Sequence, residues 1–215
     1  MERTERERIS IKKASESNLS SIIKNLDIRS FLITSANAKS GVTSSVLTLA
    51  DELSKTTDDR TLIIDASLNE DTLTKLLGKV DDLGLVDINT NTTPESNLEK
   101  HYYKDSTFSF YFMPIGINRD NTQNIILKDM ESILKKLSEV FRYIIIDGDS
   151  IYSNNNTIQI STKTDAVVLV VQAEETRWEV AQAAQKRLSQ AGANIIGCVF
   201  NNRKYYTPNW IYNKL

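Results

Sequence analysis

The sequence predicts an α/β protein built on a mainly parallel sheet with helices on both faces. Four of its apolar runs are continuous in Ile, Leu and Val rather than alternating, which is typical of strands covered on both sides. Six such runs predict strands: residues 30–35, 61–66, 108–116, 143–148, 166–173 and 194–200. Helix-like segments separate them: residues 44–55, 70–79, 124–141 and 177–192. This alternation indicates crossover connections and a parallel sheet.

The length of 215 residues suits one such domain and is short for two. Residues 1–27 are dense in charges of both signs and predict a solvated, helical N-terminal arm. Residues 28–200 predict the α/β domain, and residues 201–215 form a basic, aromatic C-terminal tail. In that tail Trp210 and Tyr212 have two interpretations, as a strap packed on the domain or as a contact to a partner or a membrane surface.

Composition excludes several function classes. The formal net charge of −2 gives no basic field for nucleic acid. No apolar run approaches the roughly 18 residues that a membrane span needs. The single cysteine, Cys198, lies in an apolar run, so we expect it to be buried in a protein of a reducing compartment. We therefore expect a cytoplasmic protein, peripheral at the inner face of the cell membrane if it meets a membrane at all. His101, in a polar stretch, is expected at the surface.

The segment after the first strand, SANAKSGVTSS, stands where a phosphate-binding loop would stand. Such a loop needs glycines that let backbone N–H groups surround phosphate, a lysine for phosphate charge, and a Ser or Thr hydroxyl for Mg²⁺. Gly41 and Thr43 fill two of these positions, whereas Ala36 and Val42 occupy the first glycine position and the lysine position. Taken alone, the segment fits a polar turn that caps a helix better than it fits a phosphate loop.

Two further strands end on an aspartate. Asp65 ends the run TLIID and Asp147 ends YIIID, with Asp149 following in the next loop. Carboxyl ends of parallel strands meet at one edge of a sheet, where ligands bind. Such an aspartate orients Mg²⁺ beside a phosphate loop, or it caps a turn. The pair favours a nucleotide-type site or its descendant.

The order of these motifs resembles the cytoplasmic domain of the bacterial tyrosine autokinases of capsule and exopolysaccharide synthesis. These belong to the wider group of P-loop ATPases with a deviant phosphate loop. The resemblance runs from about residue 14 to residue 215 and is carried by LITSANAKSGVTSSVLTLADEL, TLIIDASLNED, FYFMPIG, YIIIDGDS and the C-terminal third. It implies a P-loop NTPase-like fold of the deviant type.

The resemblance also implies site residues. The magnesium ligands would be Thr43, Asp65 and Asp147, if nucleotide binds. The nucleotide would contact these positions: Ala38, Lys39, Ser40, Gly41, Val42, Thr43, Ser44 and Asn201.

The sequence departs from the family pattern where the chemistry is carried. Val42 replaces the loop lysine, Lys39 replaces a loop glycine, and Ser67 replaces the second aspartate of the second acidic motif. The N-terminal helix keeps Glu16, but Leu19 and Ile22 stand in place of the two arginines that the family uses for ring assembly. The family's C-terminal tyrosine cluster is reduced to Tyr205, Tyr206 and Tyr212.

Because phosphoryl transfer depends on positioned charge, these losses predict a catalytically degenerate relative without a cofactor. It would act as a non-enzymatic partner in polysaccharide assembly or export, bound to a membrane-anchored chain-length regulator or an active kinase. Self-association into a homo-oligomer is a further expectation. The alternative is an active autokinase or ATPase that uses ATP and Mg²⁺. A partitioning-type ATPase is a third interpretation, but its early loop lysine is Asn37 here.

Overall fold

The computed structural model of the chain describes residues 23, 26, 28–56, 59–69, 72–88, 95–104 and 107–202. The predicted arm and tail therefore lie almost wholly outside the described residues, and so do Glu16, Leu19, Ile22, the three tail tyrosines and Trp210. Within the described ranges, none of the helices combines the length and the apolar character that crossing a membrane requires.

One seven-stranded sheet organises the described chain. Its strands are β1 Ser30–Ser35, β2 Thr61–Asp65, β3 Tyr103–Lys104, β4 Tyr111–Met113, β5 Tyr143–Asp147, β6 Ala166–Gln172 and β7 Ile195–Asn201. Their order across the sheet is β3-β4-β2-β5-β1-β6-β7. Every neighbouring pair is parallel except β3 with β4. The predicted mainly parallel sheet is confirmed.

The helices lie between the strands along the chain. They are α1 Val42–Thr56, α2 Leu73–Leu76, α3 Thr122–Asn124, α4 Met130–Leu137, α5 Asn155–Ser161 and α6 Trp178–Gln190. A π-helical segment, Ile125–Asp129, joins α3 to α4. Single 3₁₀ segments cover Leu85–Asp87, Glu95–His101 and Arg119–Asn121.

The core forms two layers, one on each face of the sheet. Every residue of β1, β2 and β5 is buried, which explains their continuous apolar runs. On one face α1 packs through Val46, Ala50 and Leu53 against the odd-numbered side chains of β1. On the other face α4 and α6 pack, with Ile133 and Leu188 fully buried. Helices therefore cover both faces, as predicted.

Helix α2 is much shorter than the helix predicted over residues 70–79. Thr72 starts it, since its Oγ1 accepts a 3.2 Å hydrogen bond from the Lys75 N–H. Gly78 ends it with φ +66°, and the next N–H, that of Lys79, returns to the carbonyl of Thr74 at 2.9 Å. This is a common glycine-terminated helix end, and it leaves room for a single turn.

Other expectations also differ from the structure. The run at 108–116 contributes only the three residues of β4, and α5 has no counterpart among the predicted helices. Cys198 is exposed because β7 is an edge strand, so the expectation of a buried thiol is wrong. His101 is buried, because it closes a 3₁₀ segment beside the core residue Tyr102, and the expectation of a surface histidine is also wrong.

Candidate functional site

A cavity of about 380 Å³ lies at the carboxyl ends of the central strands. Strand β1 lies between β5 and β6. The strands on its two sides are reached by connections that run in opposite directions across the sheet, so a crevice opens at the carboxyl end of β1. Parallel α/β sheets bind ligands at such a point. The cavity is lined by Ser35, Ala38, Lys39, Ser40, Gly41, Val42, Thr43, Ser44, Ser67, Asn69, Asp147, Gly148, Asp149 and Ser150. Eight of the predicted site residues are therefore brought together.

The loop after β1 is folded by its own side chains. The hydroxyls of Ser35 and Ser40 both donate to the carbonyl of Asn37, at 2.6 and 2.8 Å. Lys39 adopts a left-handed backbone with φ +61°. That conformation costs a non-glycine residue roughly 1 kcal/mol. The loop thus keeps the backbone of the glycine position that Lys39 occupies by resemblance.

Position 41 requires glycine because the side chain of Asn201, the last residue of β7, packs against its backbone. The φ of Gly41 is +84°, and a Cβ added there would overlap the side-chain amide of Asn201. The Asn201 Nδ2 donates to the carbonyl of Ser40 at 3.0 Å. Asn201, predicted to contact the nucleotide, contacts the loop itself and does not line the cavity. Gly41 is explained by this packing without any ligand.

Val42 begins α1 at the position where the lysine of a phosphate loop would stand. Its side chain lines the cavity and also packs against the core on the α1 face. Among the described residues, the one lysine that lines the cavity is Lys39, which reaches it from the loop three residues earlier. The hydroxyl of the next residue, Thr43, hydrogen-bonds the side chain of Asp147.

Asp65 is fully buried and accepts three hydrogen bonds. Its Oδ2 accepts from the backbone N–H and the hydroxyl of Thr74, at 2.7 and 2.6 Å, and its Oδ1 accepts from the Ser67 N–H at 3.0 Å. Burial raises the pKa of Asp65, while these hydrogen bonds act in the opposite direction. The predicted metal ligand therefore fixes the start of α2 and does not line the cavity.

Asp147 faces Asp65 across the β2–β5 pairing, with the two Cα atoms in register. Its side chain lines the cavity, but its Oδ2 is buried and has no hydrogen-bond partner in the described part of the chain. Burial, and then the neighbouring Asp65 charge, raise the pKa of Asp147 well above its ordinary value, although the Thr43 hydroxyl counteracts this. Of the two carboxyl groups, Asp147 is the one whose surroundings favour the protonated form more strongly, because Asp65 has three hydrogen-bond donors that stabilise its charge.

Asp149 ties two loops together across the cavity. Its Oδ1 accepts from the hydroxyl of Ser67 and from Asn69 Nδ2, the latter at 2.6 Å. Its Oδ2 accepts from the Leu68 N–H at 3.0 Å and from Asn154 Nδ2 at 3.2 Å. The sequence shows the Asp-Gly-Asp spacing but does not reveal these partners, so Asn69 and Asn154 were missed.

Comparison by sequence, with family models and with characterised proteins, finds no match. Comparison of structures does. The kinase domain of VpsO superposes with a TM-score of 0.76 at 23% identity, covering 87% of this chain and 90% of that one. The kinase domain of the Escherichia coli tyrosine kinase ETK gives 0.75 at 20% identity, covering 88% and 75%.

The chain has the fold of these kinase domains. The same fold extends to the septum site-determining protein MinD of Pyrococcus horikoshii, solved with Mg-ADP, at a TM-score of 0.66 and 20% identity over 86% of this chain and 76% of that one. The predicted P-loop NTPase-like architecture is thereby confirmed.

A magnesium nucleotide, which this kinase-domain fold implies, fits the residues only in part. Thr43 and Asp147 reach the cavity, and the unpartnered Asp147 Oδ2 could accept a cation or a proton. The Asp65 carboxylate already accepts hydrogen bonds from Thr74, and Val42 occupies the lysine position. Among the described residues, no group of three acidic, His or Cys side chains is arranged to hold a metal ion. No phosphoryl-transfer step can be derived from this set.

Proposed function

We propose that this chain is a catalytically degenerate relative of the bacterial tyrosine kinase domains and acts by binding a partner. The observation that carries the proposal is the hydrocarbon side chain of Val42 at the first residue of α1, where phosphate charge would be met. Charge clamps of that kind contribute several kcal/mol to the lowering of a phosphoryl-transfer barrier. A side chain that packs on the core cannot replace one.

The acidic residues support the same proposal. A carboxylate that already accepts three or four hydrogen bonds has little capacity left for a metal ion or its water. Asp65 accepts three and Asp149 accepts four, and every donor comes from the chain itself. In this proposal both carboxylates are retained for the fold of the two loops.

The pathway follows from the resemblance of the motifs to the autokinases of capsule and exopolysaccharide synthesis. The chain would act in polysaccharide assembly or export at the cytoplasmic face of the membrane. Its partner would be a membrane-anchored chain-length regulator or an active kinase of the same kind, and self-association is a further possibility within the proposal.

One observation favours a second candidate, an active ATP-binding kinase or ATPase. The cavity at the loop is open and is bordered by Thr43 and by the unpartnered oxygen of Asp147. Those two groups are the ones that the resemblance assigns to Mg²⁺. The same experiment decides between the two candidates.

Calorimetric titration of the 215-residue chain with ATP and Mg²⁺ tests the proposal. We expect no saturable binding up to about 1 mM, a limit that corresponds to about −4 kcal/mol. Val42→Lys restores the missing charge, and Val42→Met is its matched control of similar length without charge. We expect Val42→Lys alone to gain affinity, by roughly tenfold or more.

Micromolar binding by the unmodified chain, followed by phosphotyrosine formation that disappears in Asp147→Ala, would establish the second candidate and overturn the first. Equal behaviour of Val42→Lys and Val42→Met would show that the missing lysine is not what limits nucleotide binding.

A further inference from the structure

Strand β7 leaves one edge of the sheet open. It is the last strand in the sheet order, and in the described part of the chain no strand pairs with its outer side. The Asn201 carbonyl accepts the Ala173 N–H at 2.9 Å and therefore points toward β6. Because successive residues of a strand direct their backbone groups to alternate sides, the N–H and C=O groups of Cys198 and Phe200 point outward. Outward backbone groups on an edge strand are a template for a further strand.

The edge also exposes apolar side chains on the face that α4 and α6 cover. Phe200 lies in register with Val171, which belongs to the core on that face, and Cys198 precedes it by two residues on the same face. Cys198 is exposed, and Phe200 is 65% exposed. Trp178, the first residue of α6, is 70% exposed. Large apolar side chains this open beside an unpaired strand are typical of a surface that another segment covers.

The chain itself continues from this edge and is long enough to return along it. β7 ends at Asn201, and the chain bends at Asn202, whose φ is +57°. Asparagine tolerates this left-handed conformation, which is common in tight turns. Residues 203–215 follow and can span roughly 40 Å when extended. The seven residues of β7 span only about 23 Å, so this tail can run antiparallel along the whole strand.

The tail has the composition of an edge strand. Six of the eight residues from 205 to 212 are aromatic or β-branched, which are the classes enriched in strands. Pro208 has no N–H to donate, and proline is tolerated in a sheet on an outer strand, where one side of the backbone faces solvent. A strand added beyond β7 would hold that outer position.

Charge favours the tail over a second copy of β7 as the occupant. Glu174 and Glu175 are exposed in the loop after β6, which the hydrogen bond from Ala173 ties to the end of β7. The tail begins with Arg203 and Lys204, so its first residues meet negative charge there. In an antiparallel pairing of two β7 strands, the basic residues of each copy would lie at the opposite end of the edge.

We propose that residues 203–215 turn back at Asn202 and pair with β7 as an eighth, antiparallel strand. The backbone of the tail bonds the outward groups of Cys198 and Phe200, and its side chains cover the apolar surface of the edge. Trp210 and Tyr212 then belong to a strap packed on the domain. This inference goes beyond the proposed function, and its test uses neither a nucleotide nor a partner.

The test measures amide hydrogen exchange in the isotope-labelled full chain by NMR. The outward amides, those of Cys198 and Phe200, are bonded only when an eighth strand is present, whereas the Val199 N–H points to β6 in either case. We expect both outward amides to exchange about 100-fold or more slowly than in an unstructured peptide, as Val199 does.

A proline variant locates the pairing. Residue 208 is already proline, so Thr207→Pro places two prolines in succession. One of two adjacent strand residues directs its N–H to the neighbouring strand, so this variant removes the donor in either register. We expect the protection of the outward amides to fall by about tenfold or more, with Val199 within about twofold. Asn213→Pro is the matched control beyond the residues that β7 can pair, and all three amides should stay within about twofold.

Outward amides that exchange as fast as in an unstructured peptide would overturn the proposal, and this arm needs no variant. So would equal losses of protection in Thr207→Pro and Asn213→Pro, because the effect would then not depend on strand pairing. Protection that rises with protein concentration, together with a dimer in light scattering, would overturn it in favour of a second copy as the occupant.

Discussion

Asp65 and Asp147 end neighbouring parallel strands in register, yet their carboxyl groups lie in opposite surroundings. Asp65 accepts three hydrogen bonds, from Thr74 and Ser67, whereas Asp147 has one oxygen without a partner among the described residues. Burial is equal, since both are almost completely inaccessible. The difference comes from the donors that each following loop supplies.

The comparison shows that position at a strand end does not define the role of an aspartate. In Asp65 the side chain has become a structural part of the β2 loop, because the hydroxyl of Thr74 in turn accepts the N–H of Ile115 at 3.0 Å. In Asp147 the side chain remains available to the cavity. A substitution should therefore affect stability at the first position and the cavity at the second.

Asp65→Ala tests the structural role of Asp65 directly, and we expect it to lower stability more than any other substitution considered. It leaves two buried N–H groups and one hydroxyl without their acceptor, and each such group costs about 1–3 kcal/mol. We expect a loss of about 3 kcal/mol in the free energy of unfolding, measured by urea denaturation at pH 7.

The matched control for Asp65→Ala is Asp51→Asn on α1, which removes an i,i+4 ion pair of 2.8 Å with the exposed Lys55. A surface pair of this kind contributes about 0.5 kcal/mol. A cost for Asp65→Ala no larger than that of the control would contradict the structural role of Asp65.

Ser67→Asp tests whether this site tolerates the second aspartate that the family pattern carries. Here the new carboxylate would stand beside Asp149, which accepts the Ser67 hydroxyl, and close to Asp65. We expect a loss of about 2 kcal/mol at pH 7 from like-charge repulsion and the lost hydrogen bond. Equilibrium denaturation of Ser67→Asp, Asp149→Asn and the double variant forms a double-mutant cycle that measures the coupling.

In that cycle Asp149→Asn should recover about half of the loss caused by Ser67→Asp, because the amide can donate to the new carboxylate. Ser44→Asp controls for added charge, since Ser44 is exposed in the first turn of α1, and it should change stability by less than about 0.5 kcal/mol. Strict additivity in the cycle would show that residues 67 and 149 do not interact.

The sheet was predictable because short, continuous runs of Ile, Leu and Val indicate strands that are buried on both faces. The two acidic strand ends and the loop after β1 followed from the sheet, since parallel strands bring their carboxyl ends together. The backbone of Lys39 shows the limit of such inference. Sequence marks it as a departure from glycine, but only the structure shows that it keeps the left-handed conformation of glycine.

Hydrogen-bond partners were not predictable, because they join residues far apart in the chain. Asp149 meets Ser67 and Asn69 across some 80 positions, and Asn201 reaches Ser40 across 161. Periodicity also fails where a helix is polar or short. The α5 sequence NNTIQIS has too few apolar residues to signal a helix, and Asn154 starts it by accepting the Asn156 N–H at 2.9 Å.

Asp147→Asn should have the smallest effect on stability, and that effect should depend on pH. The pKa of Asp147 is raised in the folded chain, so the folded state holds a proton that the unfolded state releases above the ordinary value of 3.8. Stability from this group is complete below that value and is lost as pH rises toward the folded pKa. The asparagine variant lacks this loss. Its stability relative to the unmodified chain should therefore rise with pH.

Near pH 4 the two proteins should differ by less than about 1 kcal/mol, because a neutral amide replaces a neutral carboxyl group of the same shape. Urea denaturation of both at pH 4, 5.5 and 7 measures the trend. A relative stability of Asp147→Asn that falls with pH would mean that Asp147 is the charged member of the pair. The comparison with Asp65 would then be reversed, with the carboxylate that faces the cavity carrying the charge that a bound cation requires.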